Sequence, residues 1–511
     1  MRILSKRIVM FGVIWFITNV QAFADSSFSE NGFTYKLMKD SCSLSLISYE
    51  PVTGHDYSLP LHIPSSVKHE GKTFSVKRIE TEAFKDVTEI RSIVIDEGIE
   101  SLGHRAFECC VNLESVYIPA SLERMGERLF GCCSSLRTIK VNEKNECFDS
   151  RDESNAIIYS EDDELRAACS FTMIPASVKT IGSFAFYCCT MMENLIIPEG
   201  VVSLEDCAFY RCSSLRSVSL PESLTTIGQS VFEDCYSLTS IFVPKNVTQI
   251  WEGNLFTGCY NLNSIVVDKS NPYYDSRSNC NGIVRKSDST LVSTCRSTTI
   301  GDDISALGRY CFDRTVIRSI NIPKNVTSIS KYAFGGCYGI EQISVSEDNP
   351  NYSSPKGSNA LLSKDGKTLI LGCYTTIIPE SVEKIGDDAF KGRFGNPVLL
   401  IPKKVNEIGN SAFSGCNTIN QVVIPNTVKR MGSHVFSNCD NLYVVQLLTP
   451  IPIMSGTFSE CHSLSVVSLP GGLESIGKEA FKGCRNLEQI SIPSSVQNID
   501  KSAFLHCPVD Y

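Results

Sequence analysis

The chain has 511 residues, 42% hydrophobic and 20% charged, which excludes an intrinsically disordered or low-complexity acidic polymer. Its formal net charge is −9. Setting aside Arg2, Lys6 and Arg7 of the first 24 residues leaves 44 basic against 56 acidic residues, or −12, a poor match for nucleic acid or anionic lipid.

In chain order the first predicted element is an export signal over residues 1–24. Arg2, Lys6 and Arg7 precede the apolar run Ile8–Val20, and Ala22-Phe23-Ala24 places small residues at the two positions a signal peptidase reads. Cleavage is expected after Ala24; Asp25 rather than Cys follows, so no lipid anchor is expected there. Thirteen apolar residues are too few to span a bilayer, and no later stretch reads as a membrane span. Residues 25–62 include Gly32-Phe33-Thr34-Tyr35-Lys36-Leu37 and Ser43-Leu44-Ser45-Leu46-Ile47. Both alternate like the strands of a hairpin and read as an N-terminal β cap.

From Ile63 onward one unit recurs. Fifteen phenylalanines, beginning with Phe84, Phe107 and Phe130 and ending with Phe504, are separated by 22 to 24 residues, except for three gaps of 56. A fixed period of this length marks a solenoid. In Leu215-Arg-Ser-Val218-Ser-Leu220-Pro221 the last apolar positions alternate like a short strand, and Pro221 ends it. Leu224 and Ile227 sit three apart, as in a turn or short 3₁₀ segment; Gly228 then makes a tight bend before Val231-Phe232. One such unit cannot bury its apolar face, whereas stacking buries Leu, Val, Ile and Phe in continuous columns.

The segment Ile424-Pro425-Asn-Thr-Val428-Lys-Arg-Met431-Gly432-Ser-His-Val435-Phe436-Ser-Asn-Cys439-Asp-Asn-Leu442 resembles the BspA-like (Treponema-type) class of leucine-rich repeat, and the resemblance runs over Ile63–Cys507. It implies a leucine-rich repeat solenoid, α/β-type or mainly β, over 63–511. In that fold a curved right-handed stack carries a parallel sheet on its concave face and short helical or 3₁₀ segments on its convex face. It also implies a surface or secreted protein of adhesin type. The last residues, Phe504 to Tyr511, are too short for a separate cap.

Each 56-residue gap is one rung plus 33 residues, giving inserts near 142–173, 268–299 and 346–377. They align with one another: Asn145, Asn271 and Asn349; Ser150, Ser276 and Ser354; Asn155, Asn281 and Asn359; Cys169, Cys295 and Cys373. Asp365-Gly366 between two apolar runs predicts a β-hairpin in each insert, with an added irregular rung. No D-x-[DN]-x-[DN]-G run occurs, so the acidic turns read as structural and not as calcium loops.

Twelve cysteines stand three residues after a repeat Phe; Val87, Thr315 and Arg393 fill the place in the other rungs. In an exported protein disulfides are the first suspicion. A one-per-rung column, however, sets thiols side by side with parallel Cα–Cβ vectors, which favours a buried ladder closing backbone carbonyls. In Cys109-Cys110, Cys132-Cys133 and Cys188-Cys189 one sulfur should face in and one out, and Cys147 and Cys280 are placed toward the surface.

No metal, cofactor or catalytic motif emerges. The seven histidines are scattered, and His506-Cys507 involves a ladder cysteine. The chain reads as a non-enzyme, expected to be monomeric, exported and either secreted, periplasmic or on the cell surface. Its partner is expected to be a protein or surface glycan, with no nucleic acid and no membrane span. In each strand the residue between the last two inward positions faces solvent. Along that column Tyr117, Ile196, Phe242, Val266, Leu400 and Val423 are apolar without a folding reason, which marks a contact patch or, alternatively, plain β-propensity. The insert hairpins are a second candidate surface, and a structural envelope component without a ligand is the rival reading.

Overall fold

The computed structural model describes residues 27–40 and 42–509; the expected signal segment lies outside them. The chain divides into two compact units: the residues up to Leu262 with Val267–Pro272, and Asn263–Val266 with the residues from Tyr273 onward. Each unit is a solenoid of stacked rungs with three walls.

The first wall is the predicted sheet. In the first unit Leu61–Ile63, Ser92–Ile95, Ser115–Ile118 and Thr138–Val141 pair in parallel, one strand per rung. In the second unit Val398–Leu400, Gln421–Ile424, Val444–Leu447 and Val466–Ser468 do the same. Registers are unshifted, so Ile93 sits beside Val116 and Val116 beside Ile139, all buried.

The second wall settles which version of the fold class is realised: it is mainly β. Where Leu224 and Ile227 suggested a 3₁₀ turn, Thr226–Ile227 is a two-residue strand, paired in parallel with Ser203–Leu204 and Gln249–Ile250. Every second side chain on this wall must reach the core, and two extended residues achieve that with fewer atoms than a helical turn. Among the described residues the helical segments are the 3₁₀ turns Arg151–Glu153 and Arg277–Asn279, both in inserts.

The third wall is a corner of linked turns. Cys207, Phe209 and Arg211 donate their N–H groups to Gln229, Val231 and Glu233 of the next rung at 2.8–3.0 Å. The intervening Ala208, Tyr210 and Cys212 close turns onto the residues three before them. This alternation requires positive φ at Cys207 (59°) and Arg211 (62°), a region costly for L-residues that the bonds between rungs hold in place. Inside the corner the repeat phenylalanines stack, with ring centroids 5.0 Å apart for Phe186–Phe209 and 5.5 Å for Phe209–Phe232. Tyr49 of the N-terminal strands begins the column, 5.2 Å from Phe84. Those strands, Ser27–Glu30, Phe33–Leu37 and Ser43–Tyr49, are antiparallel, and the last pairs in parallel with Lys72–Ile79, which leads into the short-strand wall.

Each insert carries the expected hairpin: Ala156–Tyr159 with Glu164–Ala168, Gly282–Arg285 with Thr290–Thr294, and Leu361–Ser363 with Thr368–Leu371. The second strand of each joins the short-strand wall of the following rungs. No insert strand joins the long-strand wall, so that sheet stops before each insert and restarts after it.

Gly228 has a reason different from the expected bend. A Cβ there would lie 2.7 Å from the Asp206 amide nitrogen and 2.8 Å from the Glu205 carbonyl carbon, because the preceding rung's backbone occupies the space. Gly228→Ala is therefore expected to lower stability by about 1–3 kcal/mol. Gly471→Ala, with open space around the added carbon, is expected to leave it within about 0.5 kcal/mol. Urea unfolding of both variants checks this, and equal effects would contradict the packing account.

Candidate interaction surface

The candidate residues divide between the units. Tyr117, Ile196 and Phe242 belong to the first, and Val266, Leu400 and Val423 to the second. Ile196 and Leu400 are the most exposed at 78% and 77%, Phe242 and Val266 are exposed, and Tyr117 and Val423 are half-buried. Tyr117 lies between Val94 and Lys140 on neighbouring strands; Ile196 lies beside Ser219; Leu400 lies beside Val423, which lies beside Gln446. Leu400 and Val423 are direct cross-strand neighbours.

What sequence reasoning missed is where the sheet breaks. Asn194–Ile196 and Val398–Leu400 are each the terminal strand of their sheet, directly after an insert. An exposed edge with large apolar side chains invites pairing with another chain unless it is used. The insert adds a second apolar residue at equivalent places, Met173 in the first unit and Ile377 in the second, both exposed. After the middle insert the corresponding residues are Thr299 and Asn321, so only two of the three breaks are apolar. In the second unit Ile377, Phe394, Pro397, Val398, Leu400 and Lys403 line a groove of about 610 Å³. The visible signal was the extra apolar residue before the inward one, as in Ile377-Ile378.

The aligned insert columns are scaffold. Asn145 donates to the Pro119 and Leu122 carbonyls of the previous rung, Asn271 to Pro244 and Val247, and Asn349 to Pro323 and Val326, all at 2.7–3.0 Å. Ser150 accepts the Val141 N–H, and Ser354 donates to the Ile343 carbonyl, capping strands that have lost their neighbour. Cys169, Cys295 and Cys373 donate to the carbonyls of Asn155, Asn281 and Asn359.

The cysteine ladder has one role. Eleven of its twelve thiols donate to the carbonyl of the preceding rung's Phe at 2.6–3.2 Å, from Cys110 on Phe84 to Cys507 on Phe481. Cys507 is thus engaged with a carbonyl, and its neighbour His506 forms no nucleophile–base pair with it. All 23 cysteines are free thiols, and the vicinal pairs point one sulfur in and one outward. Cys280 departs from the expected exposure. It is buried with its thiol toward the Gly282 carbonyl, because the 3₁₀ turn Arg277–Asn279 folds it under the hairpin; Cys147 is half-buried. Among the described residues no group of three or more metal-ligating side chains is placed to hold an ion, and no helix is long and apolar enough to cross a membrane.

The BspA type leucine rich repeat region model matches residues 68–158, 166–282, 291–356 and 372–453, and the chain belongs to this family. Among solved structures it is similar to a leucine rich cell surface protein from Faecalibacterium prausnitzii A2-165 (21% identity, 95% of this chain and 94% of that chain, TM-score 0.38). It is also similar to a leucine-rich repeat protein from Eubacterium ventriosum (15%, 95% and 96%, TM-score 0.36) and to the pneumococcal vaccine antigen PcpA (15%, 95% and 99%, TM-score 0.27). No curated protein matches the chain.

Burial pushes the Cys337 thiol from its ordinary 9.0 up to about 11 and Cys416 up to about 12. A thiol whose folded pKa is raised contributes stability that is complete below its unfolded pKa and is lost as pH rises through the folded one. Between pH 9 and 11 the Cys337 thiol alone is expected to remove about 3 kcal/mol. Urea melts across that range should show the fall, with a shallower slope in Cys337→Val; a flat profile would contradict the burial of the ladder.

Proposed function

We propose that this chain is an exported, non-enzymatic, adhesin-like binding module whose target is a protein or a surface glycan. Its contact surface is the outward row of the long-strand wall, with the edges beside the inserts at its centre. The observation that supports this reading is that Ile196 and Leu400 are exposed apolar residues on strands that end their sheets, with exposed Met173 and Ile377 at equivalent positions of the inserts before them. A purely structural rod has no need of such residues at these sheet edges, since polar side chains would protect them better. The family also supports an exported location, and the acidic balance of −12 turns the surface away from nucleic acid.

The test is capture of purified extracellular-matrix proteins and cell-surface glycans, arrayed singly, by the mature chain. Leu400→Ser with Val423→Ser, and separately Ile196→Ser, should weaken capture about tenfold or more while the melting temperature stays within about 2 °C. Unchanged capture in these variants would remove the surface from consideration. A wild-type chain that captures nothing would favour the structural envelope reading.

A further inference from the structure

The ladder position after the third insert is filled by Arg393, and the surroundings of this guanidinium differ from those of any cysteine. It is 2% exposed. Nη1 donates to the Phe334 carbonyl and Nη2 to the Asp388 carbonyl, each at 2.8 Å. Nε, shielded from solvent, has no partner. Among the described residues no carboxylate reaches it within ion-pair distance: Asp387 pairs with Lys331 at 3.3 Å and Asp388 with Lys391 at 3.5 Å. A buried guanidinium held only by carbonyls is a desolvated charge without a counter-ion, an expensive arrangement that natural interiors usually neutralise. Desolvation accordingly lowers its pKa.

Arg393 forms part of the wall of a cleft of about 260 Å³. The cleft exists because the insert strand Thr368–Leu371 joins the short-strand wall without supplying a Phe corner. The corner at Ile329–Gly335 therefore faces the one at Gly386–Arg393 across a gap. The first insert leaves the same gap, but there it is plugged. The Arg128 guanidinium lies 3.7 Å above the Phe184 ring and 5.0 Å from that of Tyr187, and Tyr187 packs on Gly131. Counted from the repeat phenylalanines, the matching residues in the third case are Tyr332, Asp388 and Lys391, which leave the space open. Its walls are Ile329, Ala333, Ile370 and Leu371, with Lys331 and Lys384 among the charged lining.

We propose that this cleft is a binding site for a small aliphatic carboxylic acid. The carboxylate lies on the Arg393 side of the cleft, drawn by a guanidinium that has no counter-ion, and the hydrocarbon chain lies on Ile329, Ala333, Ile370 and Leu371. Arginine keeps its charge where a ladder thiol would be neutral, and that charge is what favours an anion on this side of the cleft. The lining carboxylates of Asp387 and Asp388 favour a monoanion over a multiply charged phosphate. The site is separate from the proposed contact surface, so its fate does not depend on that reading.

Calorimetric titration of the full mature chain with pentanoate tests it. One saturable site is expected, accompanied by a rise in melting temperature. 1-Pentanol, lacking the charge, acetate, lacking the chain, and methylphosphonate should each bind about tenfold more weakly or worse. Arg393→Cys, which restores the ladder residue, should abolish binding. The double variant D388F/K391Y, which rebuilds the plug of the first insert, should do the same with an unchanged circular dichroism spectrum, and it keeps the test valid if Arg393→Cys fails to fold. No saturable pentanoate binding, or undiminished binding by the folded plug variant, would overturn the proposal. Tighter binding of acetyl-Gly-Val with a free carboxylate than of pentanoate would overturn the free-acid assignment in favour of peptide ends.

Discussion

The fold rests on the corner of each rung, where a phenylalanine ring stacks on the ring before it and a thiol three residues later closes the previous ring's carbonyl. The two contacts act on the same few atoms. Stacked rings set the distance between rungs, and the N–H groups that alternate between the next rung and their own turn set the angle. A backbone with two positive-φ residues per rung is not stable alone. It persists because each rung is satisfied by its neighbours, the interdependence that makes a solenoid from units too small to fold.

This dependence explains why the cysteine column has exceptions, which the residue pattern alone did not. A ladder thiol is useful only where the preceding rung offers a Phe carbonyl. Val87 begins the stack, and Thr315 and Arg393 each follow an insert that lacks a Phe corner; Cys189, also after an insert, stays as buried filler without a Phe carbonyl to close. Thr315 turns its hydroxyl to the Phe312 carbonyl of its own rung, and Arg393 reaches over the insert to Phe334. The three N-x-[ST] asparagines likewise serve the stack: Asn246, Asn325 and Asn351 each donate to a carbonyl one rung back.

Periodicity made the rung length, the Pro-terminated strands, the insert hairpins and the buried ladder legible, because each is a local pattern repeated many times. Features that depend on two segments meeting were not legible. Gly228 answers to the backbone of the preceding rung and not to its own turn, and the short second strand needs a neighbour before two residues count as a strand. Of the six outward apolar residues the alternation singled out, it could not say that Ile196 and Leu400 end their sheets. That follows from which wall the insert joins, a property of topology.

The central claim is that the rungs are held by stacked rings and thiol–carbonyl contacts and not by covalent cross-links. Mass spectrometry of the chain, alkylated first in native buffer and then in denaturant without any reductant, measures this directly. The account predicts that exposed Cys42 labels early, that the eleven buried ladder cysteines label only on unfolding, and that all twelve, half-buried Cys507 included, then carry the reagent. Ladder cysteines of neighbouring rungs recovered as disulfide-linked peptides, unlabelled after unfolding, would contradict it.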